Sequence, residues 1–175
     1  MIIVMPADHL HPFGFGYPLP ALAEFTDDGM KDLRPYVESH YRTRNDRQSR
    51  AIAGLSMGGF QTLGIAIPQF DDYAYIGVFS SGLPGIVPFG GGAPAPTPAT
   101  FESDNRTKMD DASLKKDLKL FWFATGTQDS LMPTTRATID LFKKHGFTPE
   151  FHESEGGHTW LNWRDYLIFA PRLFQ

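Results

Sequence analysis

The chain contains no cysteine. That excludes disulfides, thiolate metal sites and a cysteine nucleophile, and leaves the compartment open. It also lacks a basic excess. Lys and Arg number 16 against 20 Asp and Glu, a net charge of −4, so no global positive field invites nucleic acid. No apolar run approaches the ~18 residues of a membrane span. What is present is 175 residues, 41% hydrophobic and 14% aromatic. Such a chain is too rich in aromatics for disorder and long enough to bury roughly 70% of its unfolded surface. It reads as a single domain, 1–175.

The apolar runs are short. Met1–Met5 is apolar from its first residue and stops at Pro6. Without a basic lead-in or a longer apolar stretch it reads as a buried strand, not a signal peptide. Arg50–Ala53, Tyr73–Phe79, Leu118–Thr125 and Glu150–Ser154 are the other strand candidates. The middle two are nearly continuous in apolarity, as strands covered on both faces are, which predicts a parallel sheet between helices. Helical patterning alternates with them. Met30, Leu33, Val37 and Tyr41 share a face over about Asp27–Tyr41, with Pro35 as a kink. Phe60, Leu63 and Ile67 do so before Pro68, and Ile139 and Phe142 within Thr134–His145, which Gly146 caps. Trp160, Trp163, Leu167 and Phe174 mark a last helix. The fold class is α/β. Residues 82–105 read as a mobile insertion on the strength of Gly90–Gly92 and the prolines at 94, 96 and 98.

Gly54-Leu55-Ser56-Met57-Gly58 is a Gly-x-Ser-x-Gly pattern, with a strand candidate before it and an amphipathic helix after it. That context is the strand-to-helix elbow the pattern requires. It sets Ser56 at a helix N-terminus, beside the Met57 amide, where a developing oxyanion can be stabilised. A serine needs a base, and the base an orienting acid, in the chain order Ser, Asp or Glu, His on this fold. The strand ending at Thr125 leads to Gly126-Thr127-Gln128-Asp129, and the strand ending at Ser154 leads to Glu155-Gly156-Gly157-His158. Both side chains then lie past the carboxyl ends of parallel strands, where open α/β sheets bind ligands. Taken singly, Ser56 is a Gly-rich turn, Asp129 a cap region before Pro133, and His158 a cap before Trp160. Together, in order, they predict a catalytic triad.

Rival groups are weaker. Glu155 shares the turn of His158, and Glu153 and Asp140 read as solvated. His9 and His11, with Asp8, form the one loop cluster with metal-like donors, and no second cluster joins them. His40, His145 and His152 read as surface residues. Arg42, Arg44, Arg47 and Arg50 read as a solvated connection.

Gly-Leu-Ser-Met-Gly-Gly, Leu-Phe-Trp-Phe-Ala-Thr-Gly running to Asp129, and Glu-Gly-Gly-His-Thr-Trp together resemble carbohydrate esterase family 1. The nearest likeness is to bacterial feruloyl (cinnamoyl) esterases, with esterase D-like proteins more distant. Arg34–Glu38, Asp46–Arg50 and Tyr75–Ser80 match as well. The resemblance implies an α/β-hydrolase sheet of about five mostly parallel strands, shortened at the N-terminus. It implies Ser56 as nucleophile, His158 as base, Asp129 as orienting acid and no metal or organic cofactor. The implied substrate is a hydroxycinnamoyl or acetyl ester on plant xylan, and the implied location is extracellular or periplasmic. Phe13, Phe15 and Trp160 are candidates to line the acyl or sugar site, with ordinary packing as the alternative.

The family pattern also includes first strands and a His-Gly loop that donates a second oxyanion amide. Met1–Met5 resembles its fourth strand, so that loop has no counterpart here. One such donor is typically worth ~10²–10³ in rate. Met1–Met5 pairing directly with Arg50–Ala53 would close the gap, with amides near Ala7 and Asp8 as a substitute donor. A homodimer through the exposed sheet edge, or an incomplete site, are the other ways to read it. Three functions compete: a serine carboxylesterase, a weakly active or inactive hydrolase remnant that binds esters or carbohydrate, and an acyl transferase using the same triad.

Overall fold

The computed structural model describes residues 1–6, 19–87 and 98–174. By its contacts the chain divides into two compact units, Met1–Asn45 and Asp46–Gln175, where the sequence reads as one domain.

In the first unit a continuous helical stretch joins α1 (Leu19–Asp27) to α2 (Arg34–His40). The six residues Asp28–Leu33 between them wind with wide, π-type turns, and the Arg34 amide donates to the Gly29 carbonyl. Pro35 supplies the reason. It has no N–H and its ring would collide with a carbonyl one turn back, so the helix takes wider turns there. Met1–Met5 carries no strand and is exposed along its whole length, from 43% at Val4 to 87% at Met5. The predicted buried strand is therefore absent. High β propensity makes a segment available for pairing but supplies no partner.

The second unit is built on four parallel strands in the order β1 (Ala51–Leu55), β2 (Tyr75–Phe79), β3 (Leu120–Gly126) and β4 (Glu150–Ser154). Among the described residues the sheet has four strands, and β1 stands at one end of the order. A sheet whose strands follow chain order, joined by right-handed crossovers, carries its connecting helices on one face. These are α3 (Met57–Ala66), α4 (Pro98–Asp110), α5 (Ala112–Lys116) and α6 (Met132–Lys144). The alternation of β3 splits its bulk accordingly. Phe121 and Phe123 meet Phe142 of α6, with Phe121 and Phe142 ring centroids 4.9 Å apart. Trp122 and Leu120 face the other way, into a cluster with Tyr75, Tyr166 and Phe169.

That second cluster is closed by α7 (Trp160–Asp165) and a tighter helical segment, Tyr166–Arg172. The expected inward face is different here. Tyr166 and Phe169 are buried, while Trp160, Leu167 and Phe174 are exposed. The change from 3.6 toward 3 residues per turn after Asp165 rotates the register, and an α-periodic reading misplaces every later residue.

Of the predicted insertion, 88–97 lies outside the described residues. From Pro98 onward the chain is helical, so the expectation is corrected for 98–105. Proline is well placed at a helix start, where its missing N–H would have no partner anyway. Met109, fully buried, anchors the other end of α4.

Two polar expectations also change. Arg47 is not a solvated link. It donates to the carbonyls of Tyr73 and Leu114 and lies over the Phe70 ring, and burial lowers its pKa. His145 is not a surface residue but a buried one at the end of α6. Its Nδ1 meets Asp110 at 2.6 Å and its Nε2 meets Glu102 at 3.0 Å, both on α4, while its carbonyl accepts from Lys115.

Hydrogen bonds from Lys144 and His145 hold the Glu102 carboxyl below its usual pKa, and the bond from His145 does the same for Asp110. A depressed folded-state pKa means stability that is complete above the unfolded value, about 4, and lost as pH falls through the folded value. Glu102→Gln is therefore expected to lower Tm at pH 7 and to flatten the decline of Tm below about pH 4. Thermal melts of both proteins from pH 7 down to 3 check this. Parallel curves for the two would count against it.

Candidate active site

Ser56 sits between β1 and α3 with φ 55° and ψ −118°, a conformation rarely adopted by non-glycine residues. The turn is held on every side. The Ser56 amide donates to the Phe79 carbonyl at 2.9 Å, its carbonyl accepts from the Gly59 amide at 3.0 Å, and the Ser81 hydroxyl donates to that same carbonyl. A methyl group on Gly54 would lie 2.0 Å from the Gly58 carbonyl oxygen, so strand and helix can cross here only without a side chain. The strained serine is thus imposed by its surroundings, which projects its hydroxyl from the carboxyl end of the sheet.

His158 follows β4 and Asp129 follows β3. The structure brings both to Ser56. His158 Nε2 lies 3.0 Å from Ser56 Oγ, and His158 Nδ1 lies 3.0 Å from Asp129 Oδ2. The Asp129 carboxylate is fully buried, whereas the imidazole is one-third exposed. The other carboxylate oxygen, Oδ1, accepts from the Leu131 amide at 2.8 Å. With one oxygen tied to backbone, the second is left for the ring.

The turns carrying the acid and the base are laced together. The Thr127 amide donates to the Ser154 carbonyl and the Gln128 amide to the Gly156 carbonyl. Asn162, buried in α7, donates to Ser154 Oγ and to the Glu155 carbonyl and accepts from Thr159. Glu155, the rival acid, is exposed.

Met57 is the first residue of α3, so its amide belongs to the helix N-terminal set that lacks intrahelical acceptors. The residue is 45% exposed. Trp160, the predicted wall of the site, is 78% exposed and stands one ring away from the imidazole. It packs edge-to-face on Trp163 at 5.1 Å, and Trp163 packs edge-to-face on His158 at 4.9 Å. The spacing of Trp160 from His158 suggested a contact that Trp163, one helical turn further, makes instead. Phe13, Phe15, His9, His11 and the amides of Ala7 and Asp8 lie outside the described residues. Among the described residues, no group of three or more His, Asp or Glu side chains is arranged to hold a metal ion. No helix among them is long and apolar enough to cross a membrane.

A serine hydroxyl, an imidazole and a buried carboxylate in series can move a proton from the hydroxyl to the ring as the oxygen attacks a carbonyl. Comparison with known proteins bears on which carbonyl. The Esterase family model matches residues 20–173. Esterase Rv1288 of Mycobacterium tuberculosis is 25% identical over 207 residues, covering all of this chain and 43% of that protein. An endo-1,4-beta-xylanase/feruloyl esterase of Xylanibacter ruminicola is 26% identical over 182 residues, covering 99% of this chain and 21% of that protein. The chain thus spans less than half the length of these relatives. Among solved structures, a CE1 ferulic acid esterase from Anaeromyces mucronatus in complex with ferulic acid superposes with a TM-score of 0.70 at 19% identity, over 97% of this chain and 61% of that one. At that identity the likeness is one of fold.

Proposed function

Because this chain belongs to the esterase family, we propose that it is a serine carboxylesterase hydrolysing feruloyl (hydroxycinnamoyl) or acetyl esters of plant cell-wall polysaccharide. The observation that carries the proposal is the unbroken hydrogen-bonded series Ser56–His158–Asp129, with both links at 3.0 Å. Ser56 Oγ attacks the ester carbonyl while His158 Nε2 takes the hydroxyl proton. The tetrahedral oxyanion is met by the Met57 amide and the positive end of α3. His158 then hands its proton to the departing alcohol oxygen as the C–O bond breaks, leaving an acyl-enzyme. Water, deprotonated by the same imidazole, releases the carboxylic acid and restores Ser56. Asp129 holds the ring in the tautomer that presents a bare Nε2 to the hydroxyl.

The substrate class rests on the xylanase/feruloyl esterase relative and on one feature of this chain. Trp160 offers an exposed indole one ring away from the base, and both an aryl acyl group and a sugar ring stack on such a surface. Hydrolysis of methyl ferulate and of p-nitrophenyl acetate by the purified chain tests the proposal. Release of ferulate together with a fluorophosphonate adduct on Ser56 is the expected result. Hydrolysis of neither ester, with no adduct, would overturn it.

Asp129→Asn separates orientation from packing. The amide is nearly isosteric and its oxygen can keep the Leu131 bond, but its nitrogen then faces His158 Nδ1 and favours the opposite tautomer. The expected loss in kcat is about 10⁴-fold, with the fold retained. Steady-state kinetics beside a circular dichroism melt check both halves. A variant within tenfold of wild type would remove Asp129 from its role.

A further inference from the structure

We infer that Trp163 is the positioning residue for the His158 ring, and that it is anchored through Ser80 to the same strand end that holds the nucleophile turn. The inference rests on the reading of Ser56, His158 and Asp129 given above.

The geometry begins with what two hydrogen bonds can and cannot do. Asp129 binds Nδ1 and Ser56 binds Nε2, nearly opposite each other across the imidazole. Both bonds lie near the ring plane. In-plane bonds of this kind resist rotation about χ2 only weakly, and such a roll of the ring carries both nitrogens off the lines to their partners. A hydrogen bond weakens steeply as its angle departs from linear. Some contact out of the ring plane has to stop the roll. Trp163 provides one, with ring centroids 4.9 Å apart and planes at 85°.

A wall restrains only if it is itself fixed. Trp163 is held in three ways. Its indole nitrogen donates to Ser80 Oγ at 3.1 Å. One side packs on the buried cluster that includes Tyr166 and Phe169. Trp160 abuts it at 5.1 Å. Ser80 is fully buried at the end of β2, holds φ at +46°, and donates its amide to the Ala124 carbonyl at 2.8 Å. A left-handed serine persists only where neighbours over-determine it. The next residue, Ser81, donates its hydroxyl to the Ser56 carbonyl. Two adjacent serines therefore tie the base side and the nucleophile side of the site to a single strand end. The wall and the elbow cannot drift apart unless β2 itself moves.

Kinetics of four variants test this. Trp163→Leu removes the ring, Trp163→Phe keeps a ring without the anchoring N–H, and Ser80→Gly removes the hydroxyl while keeping the backbone conformation accessible. The fourth joins Ser80→Gly with Trp163→Phe. For Trp163→Leu the expected result is a kcat on p-nitrophenyl acetate lowered about 10- to 100-fold with KM within about threefold, since misplacement of the base affects the chemical step and not substrate capture. The rate of fluorophosphonate labelling should fall in parallel. Trp163→Phe is expected to recover kcat to within about fivefold of wild type, and the double variant to be no worse than either of its parents, because both break one bond.

A folded Trp163→Leu with wild-type kcat overturns the inference. So does a Trp163→Phe as impaired as Trp163→Leu, which would mark a purely structural role. Additive losses in the double variant overturn the Ser80 anchor. Should Trp163→Leu fail to fold, Trp163→Met takes its place, with the same loss of kcat expected and a wild-type kcat overturning the inference. A wild-type chain that neither hydrolyses nor labels defeats the esterase reading and this inference with it. An active wild type with an equally active Trp163→Leu defeats this inference alone.

Discussion

Ser56→Ala is expected to lower kcat on a short acyl ester by about 10⁶-fold. The magnitude follows from what the variant loses. Without the hydroxyl no acyl-enzyme forms, and the imidazole 3.0 Å away has no proton to accept from it. What survives is substrate binding and the oxyanion contribution of the α3 N-terminus, together worth ~10³–10⁴ over water. KM should change little, since the hydroxyl does its work in the transition state. The fold should survive too. Alanine keeps the Cβ that serine already places at φ 55°, and the bonds fixing the turn, to Phe79, Gly59 and Ser81, are all made by the Ser56 backbone. A melting temperature close to wild type, with hydrolysis about 10⁶-fold below wild type and no fluorophosphonate adduct, is the full expected outcome. Hydrolysis at the wild-type rate would falsify the assignment of Ser56 as nucleophile.

Gly54→Ala is expected to have the largest effect on stability. The added methyl would stand 2.0 Å from the Gly58 carbonyl oxygen and 2.2 Å from its carbon, with Thr62 Oγ1 at 2.6 Å. The first two are backbone atoms of α3, so no rotamer change relieves the contact. Either β1 and α3 separate or the elbow opens. Separation uncovers buried Leu63 and the sheet face beneath it, and an opened elbow moves Ser56. A loss of more than ~4 kcal/mol belongs to this class of change, most of the stability of a domain at the low end of the ordinary range of about 5–15 kcal/mol. Gly58→Ala is the control. A methyl there meets nothing nearer than Gln61 Oε1 at 3.9 Å. Within a helix the exchange should be neutral or stabilising by up to ~1 kcal/mol. Thermal melts and soluble yield for the two variants check the contrast. Equal melting temperatures would show that strand and helix have room the structure does not provide.

The two glycines belong to one pentapeptide and look alike in sequence. Only the crossing of β1 under α3 separates them. The same holds for other residues. The four sheet strands were all legible as strand candidates, the middle two as nearly continuous apolar runs, and Ser56, Asp129 and His158 stood in the expected order at three strand ends. Those are local properties, because an apolar run between breakers specifies a strand and the residue after it faces the carboxyl edge. Met1–Met5 was equally apolar, yet it forms no strand in the structure. Trp160 was singled out beside His158, but Trp163 reaches the ring. His145 and Arg47 passed for surface charges, but both are buried or half-buried on partners far along the chain, Glu102 and Asp110 for the first and Tyr73 and Leu114 for the second.

The amino-acid order was thus sufficient for the α/β class, for the elbow around Ser56 and for placing Asp129 and His158 after two further strand ends. Each depends on hydrophobic period, turn chemistry or strand-end position, and all of these act over a few residues. Tertiary structure alone decided the rest: whether an apolar segment finds a strand to pair with, which of two tryptophans stands against the imidazole, and that Ser80 and Ser81 tie both halves of the site together. Those outcomes depend on how elements tens of positions apart in the chain dock on one another. A side chain's chemistry limits such contacts, and the packing of the whole sheet selects among them.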